Sequence, residues 1–551
     1  MNLLDCFYTF MTALFTALLI VPFLRKWAFD QGALDLPDER KTHDTPMPRL
    51  GGIAIFLSFL LAIIVYVEIT PVIRGFLAGG VIIFITGLVD DLTQISSKRK
   101  FAGEVAACLA TIMLGDLWLA DLGNLFGFGV IILPNWIGIP FTVFAVVGVI
   151  NAINLIDGLD GLAGGVSVMA LAAFFVLGWV DGDQQTLLLT AALAGGIIGF
   201  LKYNFFPARI FMGDAGSLTV GFILGFLAVH TTQQPTSTIS PMVPILILGL
   251  PLLDTIWVMS RRMLSRESPF SADRTHVHHK FLDLGFEHRF TVIIIYSLTF
   301  FWICSALLLR SAPEYLLLYF LLISAAFFYL SLRYLLCHQD KFAFLQRDAK
   351  AGLRNSVTYL RIADQVSRVV PGLLCLLVIY LLLALWSVVL HNILPWQMTA
   401  ALLAVGGYLW YRPLSEGRQF LRLFMYAAVG VAAIEVWHSD QMLFAGLNIK
   451  RFGDILLAVA GLIVVLKIQF RRNGEFFLST ADYLALAVCI FLAIASQHNA
   501  LGINLTGPLF RAVIAMLMVR TLCARHLAYI QPVAIISFLF LALVTVVGLI
   551  A

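Results

Sequence analysis

Time and again this chain runs through about twenty residues with hardly a charge among them, the length a helix needs to cross a bilayer. The opening MNLLDCFYTFMTALFTALLIVPFLRKW is one such run. These runs are continuous and do not alternate, so an outer-membrane barrel is excluded. Composition agrees: 60% of the 551 residues are hydrophobic and 12% charged, with a mean hydropathy of +0.94. A soluble domain carries about 25% charged residues. A soluble enzyme, a disordered chain and a disulfide scaffold are ruled out. The fold class that follows is an all-α polytopic membrane protein. The first run has no basic leader and no A-x-A cleavage site, so it is expected to stay in place as the first span.

Breaking the chain at its polar stretches predicts about eleven spans up to residue 337 and about seven more in 371–551. The first set lies near 3–24, 50–69, 72–89, 102–120, 131–150, 162–180, 186–201, 215–231, 241–260, 290–310 and 314–337. Lys and Arg mark cytoplasmic loops, and here they fill every second loop. Arg25 and Lys26 follow the first span, Lys98 to Lys100 the third, Lys202 and Arg209 the seventh, and Arg261 and Arg262 the ninth. The intervening DGDQQ and TTQQPTSTIS carry none. This places the N-terminus outside and the basic loops in the cytoplasm; Lys450 with Arg451, on an outward loop, is an exception. Three regions follow: a membrane-embedded chemical domain at 1–337, a basic cytoplasmic linker at 338–370, and an accessory transmembrane region at 371–551 whose charges read as scattered. The net charge of +4 is too small to suggest nucleic acid. The seven cysteines lack any metal spacing and read as small buried hydrophobes.

Ionisable groups at membrane depth are costly and point to function. Here acids gather at the cytoplasmic ends of spans. GLVDDLTQISSKRK carries Asp90 and Asp91, NAINLIDGLDGLAGG carries Asp157 and Asp160 with Asn151 and Asn154, and NFFPARIFMGDAGSLTVG carries Asp214. One Asp at a span end is ordinarily a cap. Three Gly-flanked clusters on one face are harder to explain that way. Carboxylate oxygens suit Mg²⁺, which takes one or two of them plus waters and substrate phosphates, and the helix start after Asp214 can hold an anion. DRTHVHHKF adds His276, His278 and His279 between Arg274 and Lys280. Their spacing of two then one does not fit one helix face, so a loop is expected. Beside two cations these imidazoles suit phosphate oxygens better than zinc. The first cytoplasmic loop, DLPDERKTHDTPMPRLGG, is basic and Pro-rich and could clamp a nucleotide, or could simply anchor the chain.

Together, RKTHDTPMPRLGG, DDLTQISSK, NAINLIDGLDGLAGG, NFFPARIFMGDAGSL and HVHHK resemble, in order, spacing and sidedness, the signature stretches of the polyprenyl-phosphate N-acetylhexosamine-1-phosphate transferases. This is glycosyltransferase family 4, to which the muramyl-pentapeptide translocase is related. The resemblance covers about residues 1–337, and its first-loop form is closer to the branch that initiates O-antigen and other cell-surface glycans. It implies a Mg²⁺-dependent reaction, with Mn²⁺ as the alternative ion. Undecaprenyl phosphate attacks the β-phosphorus of a UDP-N-acetylhexosamine, UDP-GlcNAc being the common one, and releases UMP. It further implies a multi-pass protein of the bacterial inner membrane, an active site facing the cytoplasm, and a homodimer.

By motif position the resemblance implies that Asp90 deprotonates or orients the lipid phosphate, and that Asp91 and Asp214 are Mg²⁺ ligands. It implies that Asn151, Asn154, Asp157 and Asp160 position nucleotide and diphosphate. Phe211 would stack on uracil and Asn204 would help bind the nucleoside. His276, His278 and His279, with Arg274 and Lys41 nearby, would meet the phosphates. Lys98 and Lys100 are equal candidates for one basic position. The region after 337 departs from the family's usual length and is expected to serve a structural role or to hold pathway enzymes. The competing reading is a transporter or flippase for a lipid-linked or anionic solute, against which the acids lie at one face and not near midplane.

Overall fold

The computed structural model describes residues 3–31, 34–35, 46–235, 237–264, 276–338, 357–390, 394–411, 414–439, 442–444, 447–469, 479–497, 506–525 and 527–550. The chain is an all-α multi-pass membrane protein. Among the described residues twelve helices are long and apolar enough to cross a membrane, and Gly51–Tyr66 and Thr480–Ser496 are shorter apolar helices. Among the described residues strand occurs in two ribbons, β1 (Leu34–Asp35) with β2 (Met47–Pro48) and β3 (Met442–Phe444) with β4 (Leu447–Asn448). The chain forms two compact units, Met1–Gln346 and Arg347–Ala551.

In the first unit the helices are α1 (Leu3–Gln31), α2 (Gly51–Tyr66), α3 (Pro71–Thr93), α4 (Ser97–Gly115), α5 (Asn135–Ile156), α6 (Leu162–Asp181), α7 (Gln184–Asn204) and α8 (Gly213–Gln233). They continue as α9 (Met242–Ile247), α10 (Gly249–Leu264), α11 (Val277–Asp283), α12 (His288–Leu308) and α13 (Glu314–Cys337). Each of the eleven spans read from sequence has its helix. The ninth is broken between α9 and α10, and the break falls at Leu248, just before Gly249 and Pro251. The three His do not lie in a plain loop as expected: His276 is the residue before α11, while His278 and His279 lie within it. Starting the helix one residue after His276 removes the conflict with helical spacing.

Helix α8 is the hub, packing against α2, α3, α5, α6 and α7. Its sequence GDAGSLTVGFILGFLAV is rich in Gly, Ala and Ser, which let neighbouring backbones come close without help from water. Nearly every residue from Ala215 to Thr231 is buried. The ends of its neighbours are set locally. Thr70 caps α3 by accepting from Ile73 N, with Pro71 at the first helical position. Asp183 caps α7 by accepting from the amides of Gln185 and Thr186 and also holds the wholly buried His230 at 3.1 Å.

The second unit comprises α14 (Val357–Val369), α15 (Gly372–Leu390), α16 (Trp396–Tyr411), α17 (Leu414–Trp437), α18 (Ile449–Gln469), α19 (Thr480–Gln497), α20 (Thr506–Arg525) and α21 (Leu527–Ile550). Its charges are not scattered, contrary to expectation. Asp454 takes Arg511 through two 2.7 Å hydrogen bonds, and Trp437 is covered by both Lys450 and Arg511. Lys450, the exception to the charge rule, thus has its ammonium 3.5 Å from an aromatic ring centroid. Asp482 gathers Arg422 and Arg520. Helix packing brings together residues that lie 38 to 60 positions apart, beyond any local spacing rule.

Candidate active site

The last turn of α3 carries Asp90 and Asp91, and the start of α8 meets it. Gly213 has φ +69, and a β-carbon there would overlap Arg49 O and Asp91 Oδ2, so only glycine fits. The turn presents the first amides of α8 to Asp91, whose Oδ1 accepts from Asp214 N at 2.8 Å and Oδ2 from Ala215 N at 2.9 Å. A carboxylate from one helix therefore caps another, where the helix dipole favours negative charge. Asp90 Oδ1 accepts from Ile95 N at 2.9 Å and closes the turn after α3.

Lys100, in the first turn of α4, reaches between the acids. Its Nζ lies 3.1 Å from Asp90 Oδ2 and 3.0 Å from Asp214 Oδ2. Asp214 Oδ1 accepts from Asn154 Nδ2 at 2.6 Å, and that amide also meets Ser217 Oγ. Lys98, two residues earlier, is exposed. A helix turns about 100° per residue, so only one of the two can face the acids. The side chains of Asp214 and Lys100 remain 31% and 18% exposed, which leaves the cluster open to a ligand.

The Asp157–Gly161 turn closes a second side. Asp160 Oδ2 accepts from Ala208 N at 2.8 Å, and Asn204 Oδ1 accepts from Gly161 N while its Nδ2 donates to Ile210 O. Asn204 is 3% exposed, so it braces the two loops against each other. Phe211 is pinned by its backbone, donating to Pro48 O and accepting from Gly51 N, with its ring half-buried. Burial, reinforced by Asp214, Asp160 and Asp91, pushes the Asp157 carboxyl up to about 7.

The histidines enter through Asp254 on α10. This buried carboxylate holds His276 Nδ1 at 2.9 Å and accepts from Val277 N at 3.1 Å. The His278 ring lies where a β-carbon on Gly158 would be, which brings it against the Asp157 turn. It stacks with His276 at 5.9 Å and touches His279 at 4.2 Å. Burial, helped by His279, His276 and His288, holds its pKa well below the ordinary imidazole value, so it is neutral at physiological pH.

Four chain segments therefore bring Asp90, Asp91, Lys100, Asn154, Asp157, Asp214 and His278 into one neighbourhood. Asn151 stands slightly apart and donates to Glu104 Oε2 at 2.8 Å. Lys41 and Arg274 lie outside the described residues. Two buried acids were missed in the sequence, Glu104 and Asp254, 2% and 4% exposed. Each had a legible signal: Glu104 is one turn beyond Lys100, and Asp254 interrupts the apolar run GLPLLDTIWV. Beside Asn151 an apolar groove of about 470 Å³ runs between α4, α5, α8, α9 and α10, lined by Phe101, Phe141, Phe144, Ile245 and Met259 among others.

The model of the family "Glycosyl transferase family 4" matches residues 73–232. The chain is 36% identical over 325 residues to a Bacillus subtilis (strain 168) protein named "Probable undecaprenyl-phosphate N-acetylglucosaminyl 1-phosphate transferase", covering 58% of this chain and 88% of that one. This chain belongs to that family. It is also 34% identical to the undecaprenyl-phosphate alpha-N-acetylglucosaminyl 1-phosphate transferase of Escherichia coli (strain K12), over 51% of this chain and 77% of that one. The decaprenyl-phosphate N-acetylglucosaminephosphotransferase of Mycobacterium leprae (strain TN) is 34% identical over 48% of this chain and 73% of its own length. Each alignment covers little more than half of this chain or slightly less.

Proposed function

We propose that this protein transfers N-acetylglucosamine 1-phosphate from UDP-GlcNAc to undecaprenyl phosphate at the cytoplasmic face of a bacterial inner membrane. An oxygen of the lipid phosphate bonds to the β-phosphorus, the bond from that phosphorus to the bridging oxygen breaks, and UMP leaves. The observation that carries this reading is Lys100 held between Asp90 and Asp214 beside an apolar groove. A lipid acceptor needs apolar wall next to charge, and phosphoryl transfer needs positioning and charge neutralisation more than covalent help.

The residues fit a hard divalent cation. Asp90 and Asp214 both meet Lys100, and Asp157, beside Asp214, Asp160 and Asp91, is pushed up to about 7 by burial and by those charges. Mg²⁺ takes one or two carboxylates and completes its shell with phosphate and water. Asp214, with the remaining lone pairs of Asp91, would hold Mg²⁺ or Mn²⁺, and the ion would neutralise charge on the diphosphate. Asp90 orients the lipid phosphate and accepts its proton at Oδ2. Lys100 sets the spacing of Asp90 and Asp214. Asn154 orients Asp214. Neutral His278 offers a ring N–H toward a phosphate oxygen, and the half-buried Phe211 ring offers a face for the uracil.

The test is UMP release and lipid labelling by the purified protein with UDP-GlcNAc, undecaprenyl phosphate and Mg²⁺. Asp214→Asn should lower the rate at least about 100-fold. No UMP from the wild type, or an unchanged rate in Asp214→Asn, would overturn the reading.

A further inference from the structure

Helix α12 carries a buried hydroxyl that reaches the candidate site from behind. Tyr296 is wholly buried, and its O–H donates to Gly161 O at 2.6 Å. Gly161 ends the turn that carries Asp157 and Asp160; it has φ +76 and lies just before α6. Its carbonyl already accepts from Gly165 N at 2.9 Å, as α6 begins. A carbonyl oxygen has two lone pairs, and Tyr296 takes the second. That acceptor would be satisfied without the tyrosine, so the hydroxyl does not serve to pair an orphaned buried group. It adds a second direction of restraint. Gly161 N donates to Asn204 Oδ1 at 3.0 Å, so the residue is held at both polar atoms, from the end of α7 and from α12. Gly165 leaves room for this contact, since a β-carbon there would overlap the Tyr296 hydroxyl.

The same helix grips the neighbouring parts of the site. The ring of His288, the first residue of α12, lies 4.6 Å from the Phe206 ring, and the Arg289 guanidinium lies 5.0 Å over it. Phe206 belongs to the loop whose Ala208 N donates to Asp160 Oδ2 at 2.8 Å. Only Leu284 to Glu287 separate α12 from α11, which brings His278 against Gly158. A turn with glycine at 158 and 161 has wide backbone freedom of its own. Bonds from outside it therefore decide where Asp157 and Asp160 point.

We propose that Tyr296 is a positioning residue of the transferase. It acts through Gly161 on Asp157 and Asp160, and so on the diphosphate of the nucleotide sugar. This rests on the transferase reading.

The experiment compares the full-length wild type with Tyr296→Phe, which keeps the ring and removes the hydroxyl. The dissociation constant for UDP-GlcNAc with Mg²⁺ is measured by calorimetry in detergent, without lipid phosphate. KM for each substrate is then measured by UMP release, and folding by thermal melting. Tyr296→Phe should raise the dissociation constant and KM for UDP-GlcNAc about fivefold. KM for undecaprenyl phosphate should stay within about twofold, because α12 does not line the apolar groove. A merely structural role would lower the melting temperature and the active fraction, and would move neither binding constant. Thr299→Val is the control. Its hydroxyl lies one turn on, is 1% exposed, and donates to Ile295 O within its own helix, so both constants should hold. Amide exchange over residues 157–165 should also quicken in Tyr296→Phe and not in Thr299→Val. Equal constants for UDP-GlcNAc in the wild type and a folded Tyr296→Phe would overturn the proposal. So would an equal rise in Thr299→Val, or a Tyr296→Phe that does not fold. A wild type that binds UDP-GlcNAc more tightly than Tyr296→Phe but releases no UMP would sink the transferase reading and leave the positioning role standing. A wild type that binds no UDP-GlcNAc would sink both.

Discussion

Gly87→Ala tests whether the acid cluster depends on how closely α3 approaches α8. Gly87 lies one turn before Asp90 and Asp91, and a β-carbon there would stand 2.6 Å from Ala215 Cα and Asp214 O. Both are backbone atoms and cannot rotate away. Ordinary contact begins at 3.4 Å, so the helices must part by about 0.8 Å. The amides of Asp214 and Ala215 now lie 2.8 and 2.9 Å from Asp91, and that parting carries both beyond hydrogen-bond reach. Hydrogen bonds to a charged group are worth about 1.5–3 kcal/mol each, so losing both removes roughly 3 kcal/mol or more from the arrangement that fixes Asp214. That corresponds to about 100-fold in rate, the size expected when reacting groups are misplaced by an ångström. The assay is kcat/KM for UMP release at saturating Mg²⁺, with thermal melting to check folding. Gly80→Ala, on the same helix, is the control: its β-carbon meets only Phe56 Cε2 at 3.6 Å, so activity should stay within about twofold. If folded Gly87→Ala kept more than a third of wild-type activity, the close approach would not be what holds the site.

Further outcomes follow from individual side chains. Lys100→Gln removes two partly exposed ion pairs worth roughly 1 kcal/mol each and should slow UMP release about 30-fold, whereas Lys98→Gln should change it by less than about twofold. The Asp157 pKa is raised from 3.8 to about 7, so its contribution to stability is complete below about pH 4 and lost as pH rises through about 7. Asp157→Asn should therefore flatten the fall of melting temperature between pH 5 and 8, and an unchanged slope would show that another group titrates. Asp254→Asn replaces the carboxylate shared by His276 Nδ1 and Val277 N. KM for UDP-GlcNAc should rise about tenfold, measured at fixed lipid phosphate.

The elements were legible because they rest on a local rule, the length of apolar runs. The acids at 90, 91, 157, 160 and 214 were legible because each interrupts a Gly-rich span end. Partnerships were not. Nothing in RKTHDTPMPRLGG or DDLTQISSKRK says that Asp91 will spend both oxygens on the first amides of α8, or that Lys100 and not Lys98 will face the acids. Those facts depend on the rotation of α4 and on Gly213 turning α8 toward α3, and packing decides both. The same gap made the charges of the second unit look scattered, since Arg422, Asp482 and Arg520 meet only when three helices do. Around Lys100 the acids outnumber the cations, and Asp157 is pushed toward its protonated form. Burial makes that excess costly, and the Mg²⁺ proposed for the site would offset it.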